Sequence, residues 1–150
     1  MKNLFELDRI TEVKARIAAL SPASQRQWGK MNPAQAVAHC AAGLELALGD
    51  HMPPRLLIGR MIGGLIKPKV LGDDAPMRHN SPTVQGLVIL DERDLDRERE
   101  RLYGMIDRFA AAGPGGCTEH PHSFFGRLTP DEWAVLMYKH LDHHLRQFGV

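Results

Sequence analysis

The stretch TPDEWAVLMYKHLDHHLRQF, from Thr129 to Phe148, decides the fold of this 150-residue chain. It has the signals of a well-capped helix. Thr129 is an N-cap residue, Pro130 suits the first helical position, and Glu132 completes a capping box. Gly149 follows the last apolar residue and ends the helix. The chain therefore predicts a long C-terminal helix.

This helix turns two histidines toward its apolar side. With about 100° per residue, His140 and His144 fall in the same arc as Trp133 and Leu136. His143 lies at the edge of that arc. The charged positions fall together on the opposite side: Glu132, Lys139, Asp142 and Arg146. Because histidine is costly to bury without a partner, the pair indicates a site.

Two histidines four residues apart can reach one metal ion. Their Cβ atoms lie roughly 5–6 Å apart, and metal–nitrogen bonds are about 2.0–2.1 Å long. Neutral imidazole is a common ligand of zinc, nickel and iron. A third ligand must come from another helix, and His39 is the histidine within the other predicted helices. Three histidines with an open position form a site of catalytic type. The pair could instead contact buried carboxylates or lie at a dimer surface, and aspartate or glutamate ligands also fit the pattern.

Three further amphipathic patterns precede the last helix. Apolar residues recur at spacings of three and four along each, which is the helical period. Asn32 caps the second of them, and glycines follow the second and third. The three patterns run over about 7–20, from 32 to a stop at 49–50, and from 91 or 94 to 112. Four such helices predict an all-α four-helix bundle forming one domain over 1–150.

An apolar segment between the second and third helices is harder to assign. It runs from Leu56 to Ile66, is interrupted by Arg60 and two glycines, and is closed by Lys67-Pro68. We expect a short helix or a buried loop that covers one end of the bundle. An interfacial membrane segment is the alternative, but the run is short and lacks a strongly basic face.

Composition excludes several classes of function. The net charge is +1, from 19 basic and 18 acidic residues, which gives no general attraction for nucleic acid or for an anionic membrane. Cys40 and Cys117 lack the spacing of a redox motif or a four-cysteine zinc site. The N-terminal residues are too charged for a signal peptide, and no run is long enough to span a membrane. We expect a cytoplasmic protein.

Two segments of the chain resemble a known group of proteins. The first is Trp28–Cys40, WGKMNPAQAVAHC; the second is His122–Trp133, HSFFGRLTPDEW, continuing through Tyr138–Phe148, YKHLDHHLRQF. In this order they resemble the DinB/YfiT-like superfamily of metalloenzymes, in particular its branch of uncharacterised domains.

The resemblance implies a four-helix bundle, often dimeric, that holds a divalent metal, commonly zinc or nickel. Its ligands map to His39, His140 and His144. Gln147 matches a glutamine that often follows the last ligand. Leu145-Arg146 is a departure, since many relatives carry Arg-Gly there. The additional histidines His120, His122 and His143 could supply a fourth ligand or a proton shuttle.

By analogy with the superfamily, we expect a metal-dependent hydrolase or thiol-dependent transferase that acts on an unknown small molecule. His122 and His143 are the candidate general bases, whereas Tyr138 points away on the helical wheel. Cys40 is expected to be a small buried residue rather than a nucleophile. Two alternatives stay open: a non-catalytic, metal-stabilised binding module, and a plain helical dimer whose histidines bind nothing specific. Fold alone cannot separate the three.

Overall fold

A computed structural model describes residues 1–81 and 83–150. Over these residues the chain forms five α-helices and two short 3₁₀ helices, and no strand. The α-helices are α1 (Leu7–Ala18), α2 (Pro33–Leu48), α3 (Leu57–Leu71), α4 (Leu95–Ala112) and α5 (Pro130–Gln147). The 3₁₀ helices are Gln85–Leu87 and Pro114–Gly116. The all-α class is confirmed.

The helix ends follow the capping signals of the sequence. Asn32 and Thr129 each accept a hydrogen bond from the third helical backbone amide and complete a capping box. Asp94, rather than Asp91, caps α4 by accepting from the Arg97 amide. Gly49 ends α2 in the left-handed conformation, with φ of 80°. The first helix ends at Ala18, two residues before the predicted end.

Four of the five helices surround the apolar core. Helix α2 packs against α4 and α5, and α1 packs against the same two helices. Their buried residues include Val13 of α1, Leu44 of α2, Ile106 of α4 and Leu141 of α5, each almost fully excluded from solvent. A four-helix bundle of DinB type remains a prediction at this level of detail, as does the single domain over 1–150.

Helix α3 confirms the helical alternative predicted for the segment between α2 and α4, and it corrects the predicted end. Lys67-Pro68 does not close the segment, because the helix continues to Leu71 with Pro68 inside. Pro68 and Gly64 are both exposed. The Gly64 carbonyl that loses its backbone donor can therefore be hydrated, which lowers the cost of an internal proline.

Helix α3 buries its glycine face and exposes its apolar face. A Cβ at Gly59 or Gly63 would come within 3.0 Å of the Phe124 backbone, so only glycine allows this approach. On the opposite side the large apolar residues are exposed: Leu57, Ile58, Met61 and Leu65. The helix thus covers the turn around Phe124 but leaves its own hydrophobic side uncovered.

Two charged residues of α5 lie deeper than the helical wheel predicts. Lys139 is buried and donates to the Asp73 backbone carbonyl at 2.9 Å. Asp142 is buried between Arg16, at 2.8 Å, and Arg146, at 2.7 Å. Hydrogen-bonded partners make this burial tolerable. The polar side of α5 is therefore covered by α1 and by the segment around Asp73.

Among the residues that the structure describes, no helix combines the length and the apolar character needed to cross a bilayer.

Candidate metal centre

Three histidine side chains from two helices converge on one point, with His39 buried and His140 and His144 partly buried. His39 comes from α2, and His140 and His144 come from successive turns of α5. The ring centroids lie 4.8 Å apart for His39 and His140, 4.8 Å for His39 and His144, and 4.9 Å for His140 and His144. One ligand atom from each ring lies within 4.8 Å of the others. The three rings therefore form a nearly equilateral triangle, close enough to hold a metal ion.

The sequence brings α2 and α5 together at this point through small residues. Gly43 lies one turn after His39, and a Cβ at this position would come within 3.0 Å of both Cε1 and Nδ1 of His140. A larger residue at position 43 would meet the imidazole directly. The absence of a side chain at Gly43 thus sets how closely the His140 ring can approach α2.

A backbone hydrogen bond orients His39. Its Nδ1 lies 2.7 Å from the carbonyl oxygen of Leu87, which can only accept. The Nδ1 atom must therefore carry the proton, and in the neutral ring Nε2 keeps a free lone pair. Leu87 belongs to the short 3₁₀ helix Gln85–Leu87, so the segment before α4 fixes the orientation of this ring.

A side-chain amide orients His144 in the same way. Its Nδ1 lies 2.8 Å from Oε1 of Gln147, and Nε2 of Gln147 donates to the Trp28 carbonyl at 2.8 Å. Hydrogen-bond partners of this kind fix the tautomer of metal-ligating histidines. His39 and His144 thus both present Nε2 lone pairs.

The third ring completes the cluster through a direct contact. Nε2 of His140 lies 2.9 Å from Nε2 of His39. Without an ion, one of these nitrogens must donate to the other. Because the His39 proton is held at Nδ1, the donor is His140.

Burial keeps all three rings uncharged. The pKa of His39 is lowered by burial, although the hydrogen bond to Leu87 opposes the shift. Burial is the main cause that places the pKa of His140 well below its usual value. Electrostatic repulsion between a protonated His140 and the neighbouring His39 and His144 lowers this pKa further. For His144, burial and the neighbouring His39 lower the pKa to about 3. Neutral imidazole is the form that binds metals.

Within the described part of the chain, histidines alone form the cluster, without a carboxylate. The acidic residue within α5 that lies between the two site histidines is Asp142, and both of its oxygens are engaged by Arg16 and Arg146. The hydrogen-bond partners of His39 and His144 are a backbone carbonyl and an amide, which are neutral. A divalent ion bound here would therefore keep its full charge.

His143 lies beside the cluster rather than in it. Its ring centroid is 5.0 Å from that of His144 and 5.5 Å from Trp28. Trp28 in turn stacks on His79 at 3.6 Å. Burial and the nearby His79 lower the pKa of His143, while a backbone hydrogen bond with Met77 opposes the shift. Of the two predicted bases, His143 is the one in direct ring contact with the cluster.

His122 organises a turn. Its Nδ1 accepts hydrogen bonds from the Phe124 and Phe125 backbone amides at 3.1 and 3.2 Å, and its backbone pairs with Gly126. Burial and the nearby Arg55 lower its pKa to about 4. The lone pair that a general base needs is therefore already engaged, so catalysis by His122 would first require breaking these bonds.

The remaining candidates lie outside the cluster. His120 and His122 line a separate cleft with His51 and Trp133. Cys40 is buried, and burial raises the pKa of its thiol, which fits the prediction of a small buried residue. Tyr138 points to α1, where its hydroxyl donates to Glu12 at 3.1 Å.

Sequence reasoning missed two parts of the site. The Leu87 and Trp28 carbonyls hold the rings, but any residue type carries a carbonyl, so the sequence contains no signal for them. Gly43 and Gln147 had detectable signals, namely a small residue in phase with His39 and a glutamine three residues after His144.

Fold and cluster together define an all-α protein with three neutral histidines around one point. The chain belongs to the family described as a protein of unknown function (DUF1569), whose model matches residues 2–149. Comparison with curated proteins and with solved structures gives no match.

Proposed function

We propose that His39, His140 and His144 bind one divalent cation, zinc or nickel, and that this ion is the working centre of the protein. The observation that carries the proposal is the orientation of the rings. Two of the three histidines have Nδ1 committed to a fixed acceptor, so that Nε2 keeps the lone pair, and all three rings offer a ligand atom within 4.8 Å of the others. Buried histidines with a purely structural role have no need to share one point.

The spacing of the nitrogens supports the proposal. Tetrahedral coordination with bonds of about 2.0–2.1 Å separates ligand nitrogens by roughly 3.3 Å. The His39 and His140 Nε2 atoms are 2.9 Å apart, and no pair of ligand atoms exceeds 4.8 Å. Side-chain rotations that change these nitrogen separations by some tenths of an ångström up to about 1.5 Å would bring all three to the value for tetrahedral coordination.

A metal-dependent enzyme is the function that this donor set favours. Three protein ligands leave a coordination position open, and a bound divalent ion supplies Lewis acidity and lowers the pKa of water. The resemblance to the DinB/YfiT-like superfamily favours a hydrolase or a thiol-dependent transferase that acts on a small molecule. In this proposal His143 exchanges protons at the edge of the site, and the Leu87 carbonyl holds the His39 ring. A homodimer remains a prediction from the same resemblance, and a cytoplasmic location remains a prediction from the sequence pattern.

The alternative is a non-catalytic binding module stabilised by the ion. One observation favours it: His39 is buried, His140 and His144 are partly buried, and the segment that carries Leu87 contacts the His39 ring through a backbone carbonyl. A closed site of this kind would contribute to folding rather than to turnover.

Elemental analysis tests metal binding directly. Untagged protein should carry about one zinc or nickel per chain, and His140→Ala should lose it. His143→Ala is the matched control, because it removes the neighbouring histidine of the same helix and should retain the metal. Full metal content in the triple variant His39→Ala, His140→Ala, His144→Ala would refute the proposal.

X-ray absorption spectroscopy separates the enzyme from the binding module. Three imidazoles and an exchangeable light ligand, displaced by added azide or thiolate, would support the enzyme. Four ligands that all come from the protein, unaffected by such additions, would support the module.

A further inference from the structure

We infer that Gln147 is a positioning residue of the metal centre: it holds His144 in the Nδ1–H tautomer, so that Nε2 is the atom offered to the ion. This inference rests on the proposed function, because it concerns one ligand of the proposed centre. It adds a residue that does not itself touch the ion.

The hydrogen bonds around Gln147 determine which way its amide faces. The side chain is buried, with 2% of its surface exposed. One end of the amide faces the Trp28 carbonyl, which can only accept, so this end must be the nitrogen. The oxygen then faces Nδ1 of His144, and the contact is a hydrogen bond only if Nδ1 carries the proton. The Trp28 carbonyl thus sets the His144 tautomer through Gln147.

The segment before α2 is shaped to receive this side chain. Gly29 has φ of +77°, and a Cβ there would lie 2.4 Å from Nε2 of Gln147. The Gln27 backbone amide donates to the Gln147 carbonyl at 2.8 Å. Residues 27–29 therefore contact both the backbone and the amide of Gln147, and they leave room for no larger residue at position 29. A glutamine that only filled space would not need this arrangement.

The neutral amide also has a consequence for charge. A carboxylate at position 147 would accept a hydrogen bond from His144 equally well. It would, however, add a negative charge that only the His144 ring separates from the ion. It would also face the Trp28 carbonyl without a proton to donate. Glutamine is the residue that satisfies both contacts and leaves the charge of the centre unchanged.

Two variants test the acceptor and the donor of the Gln147 amide separately. Gln147→Met keeps the length of the side chain but removes the acceptor and the donor, and Gln147→Glu restores the acceptor only. Loss of a residue that orients a ligand typically weakens metal binding by about 10–100-fold. We expect a loss in this range for Gln147→Met in a chelator competition with zinc, and partial recovery for Gln147→Glu.

The tautomer itself is the readout that a merely structural role would not change. Long-range ¹H–¹⁵N spectra of the metal-free protein should show His144 protonated at Nδ1 in the wild type and mixed tautomers in Gln147→Met. Val135→Ala is the control for general destabilisation, since it truncates a buried residue of α5 about two and a half turns before His144. It should alter neither the tautomer nor the zinc affinity.

The outcomes distinguish this inference from the proposed function. Wild-type zinc affinity in Gln147→Met, with His144 still protonated at Nδ1, would overturn the inference while the metal centre stands. If the wild-type protein binds no metal, the proposed function fails, and with it the role toward the ion. The spectra would then still decide whether Gln147 sets the tautomer.

Discussion

Gly43 lies directly against the imidazole of His140, so close that a methyl group at position 43 would come within 3.0 Å of Cε1 and Nδ1. This distance is tighter than ordinary van der Waals contact. The ring can give way only by moving, and any movement alters its place in the triangle with His39 and His144.

Gly43→Ala should therefore weaken metal binding by at least about tenfold, although alanine favours a helix over glycine by about 1 kcal/mol. The matched control is Gly104→Ala in α4, where a new Cβ meets nothing within 4 Å. It should leave binding unchanged and raise the free energy of unfolding by up to about 1 kcal/mol. Zinc titration and urea unfolding measure both effects. Equal zinc affinities in the two variants would contradict the packing argument.

The stability of the metal-free protein should fall as the pH drops from about 6.5 to 4. Burial lowers the pKa of His122 to about 4 and is the main cause that lowers that of His144 to about 3, whereas a histidine in the unfolded chain titrates near 6.5. Between these values the unfolded state binds more protons than the folded state, so the free energy of unfolding rises with pH. Each such histidine contributes at most about 1.4 kcal/mol per pH unit. Urea unfolding in EDTA across this range measures the slope.

His122→Asn isolates one share of that slope. An asparagine oxygen can still accept from the Phe124 amide and preserve the turn, but it does not titrate. The slope of the free energy of unfolding against pH should therefore decrease by the contribution of about one bound proton. Parallel curves for the variant and the wild type would show that His122 is not among the histidines responsible.

The packing of α3 depends on Gly63. A Cβ at this position would lie 2.0 Å from the Phe124 carbonyl oxygen, whereas one at the adjacent Gly64 meets nothing within 4 Å. Gly63→Ala should cost about 1–3 kcal/mol of stability and speed hydrogen exchange along α3. Gly64→Ala should be neutral or stabilising. Hydrogen exchange is measured by mass spectrometry. Equal protection of α3 in the two variants would contradict this prediction.

Cys40 should be unreactive in the folded protein. It is buried, and the pKa of its thiol is raised by that burial. Cys117 is only partly buried and should react first. In Cys117→Ser, iodoacetamide labelling should occur only at the rate of unfolding. Fast labelling of this variant under native conditions would show that the α2 face is open around Cys40.

The capping residues made most of the fold predictable. Asn32, Asp94 and Thr129 encode helix starts by short-range chemistry, and the structure uses each of them as a cap. The segment after Leu56 was harder because its internal proline reads as a stop. Whether a proline ends a helix depends on whether water can reach the carbonyl it leaves free, and exposure is a property of the folded chain.

The same limit applies to the candidate site. The spacing of His140 and His144 predicts their shared face, and His39 was expected from its place in the second helix; the structure brings all three within reach of one ion. The carbonyls of Leu87 and Trp28 could not be predicted, since backbone groups carry no sequence signature. Lys139 and Asp142 were placed on the solvent side because their partners, Asp73 and Arg16, are distant in sequence.

The uncharged state of the buried imidazoles has a thermodynamic consequence for ion uptake. Ligands that are protonated at working pH release protons to the buffer when a metal displaces them. Here burial has already removed those protons near neutrality. The imidazoles themselves should then add almost nothing to the dependence of the association enthalpy on the buffer's heat of ionisation, so that any such dependence reports protons released by water on the ion.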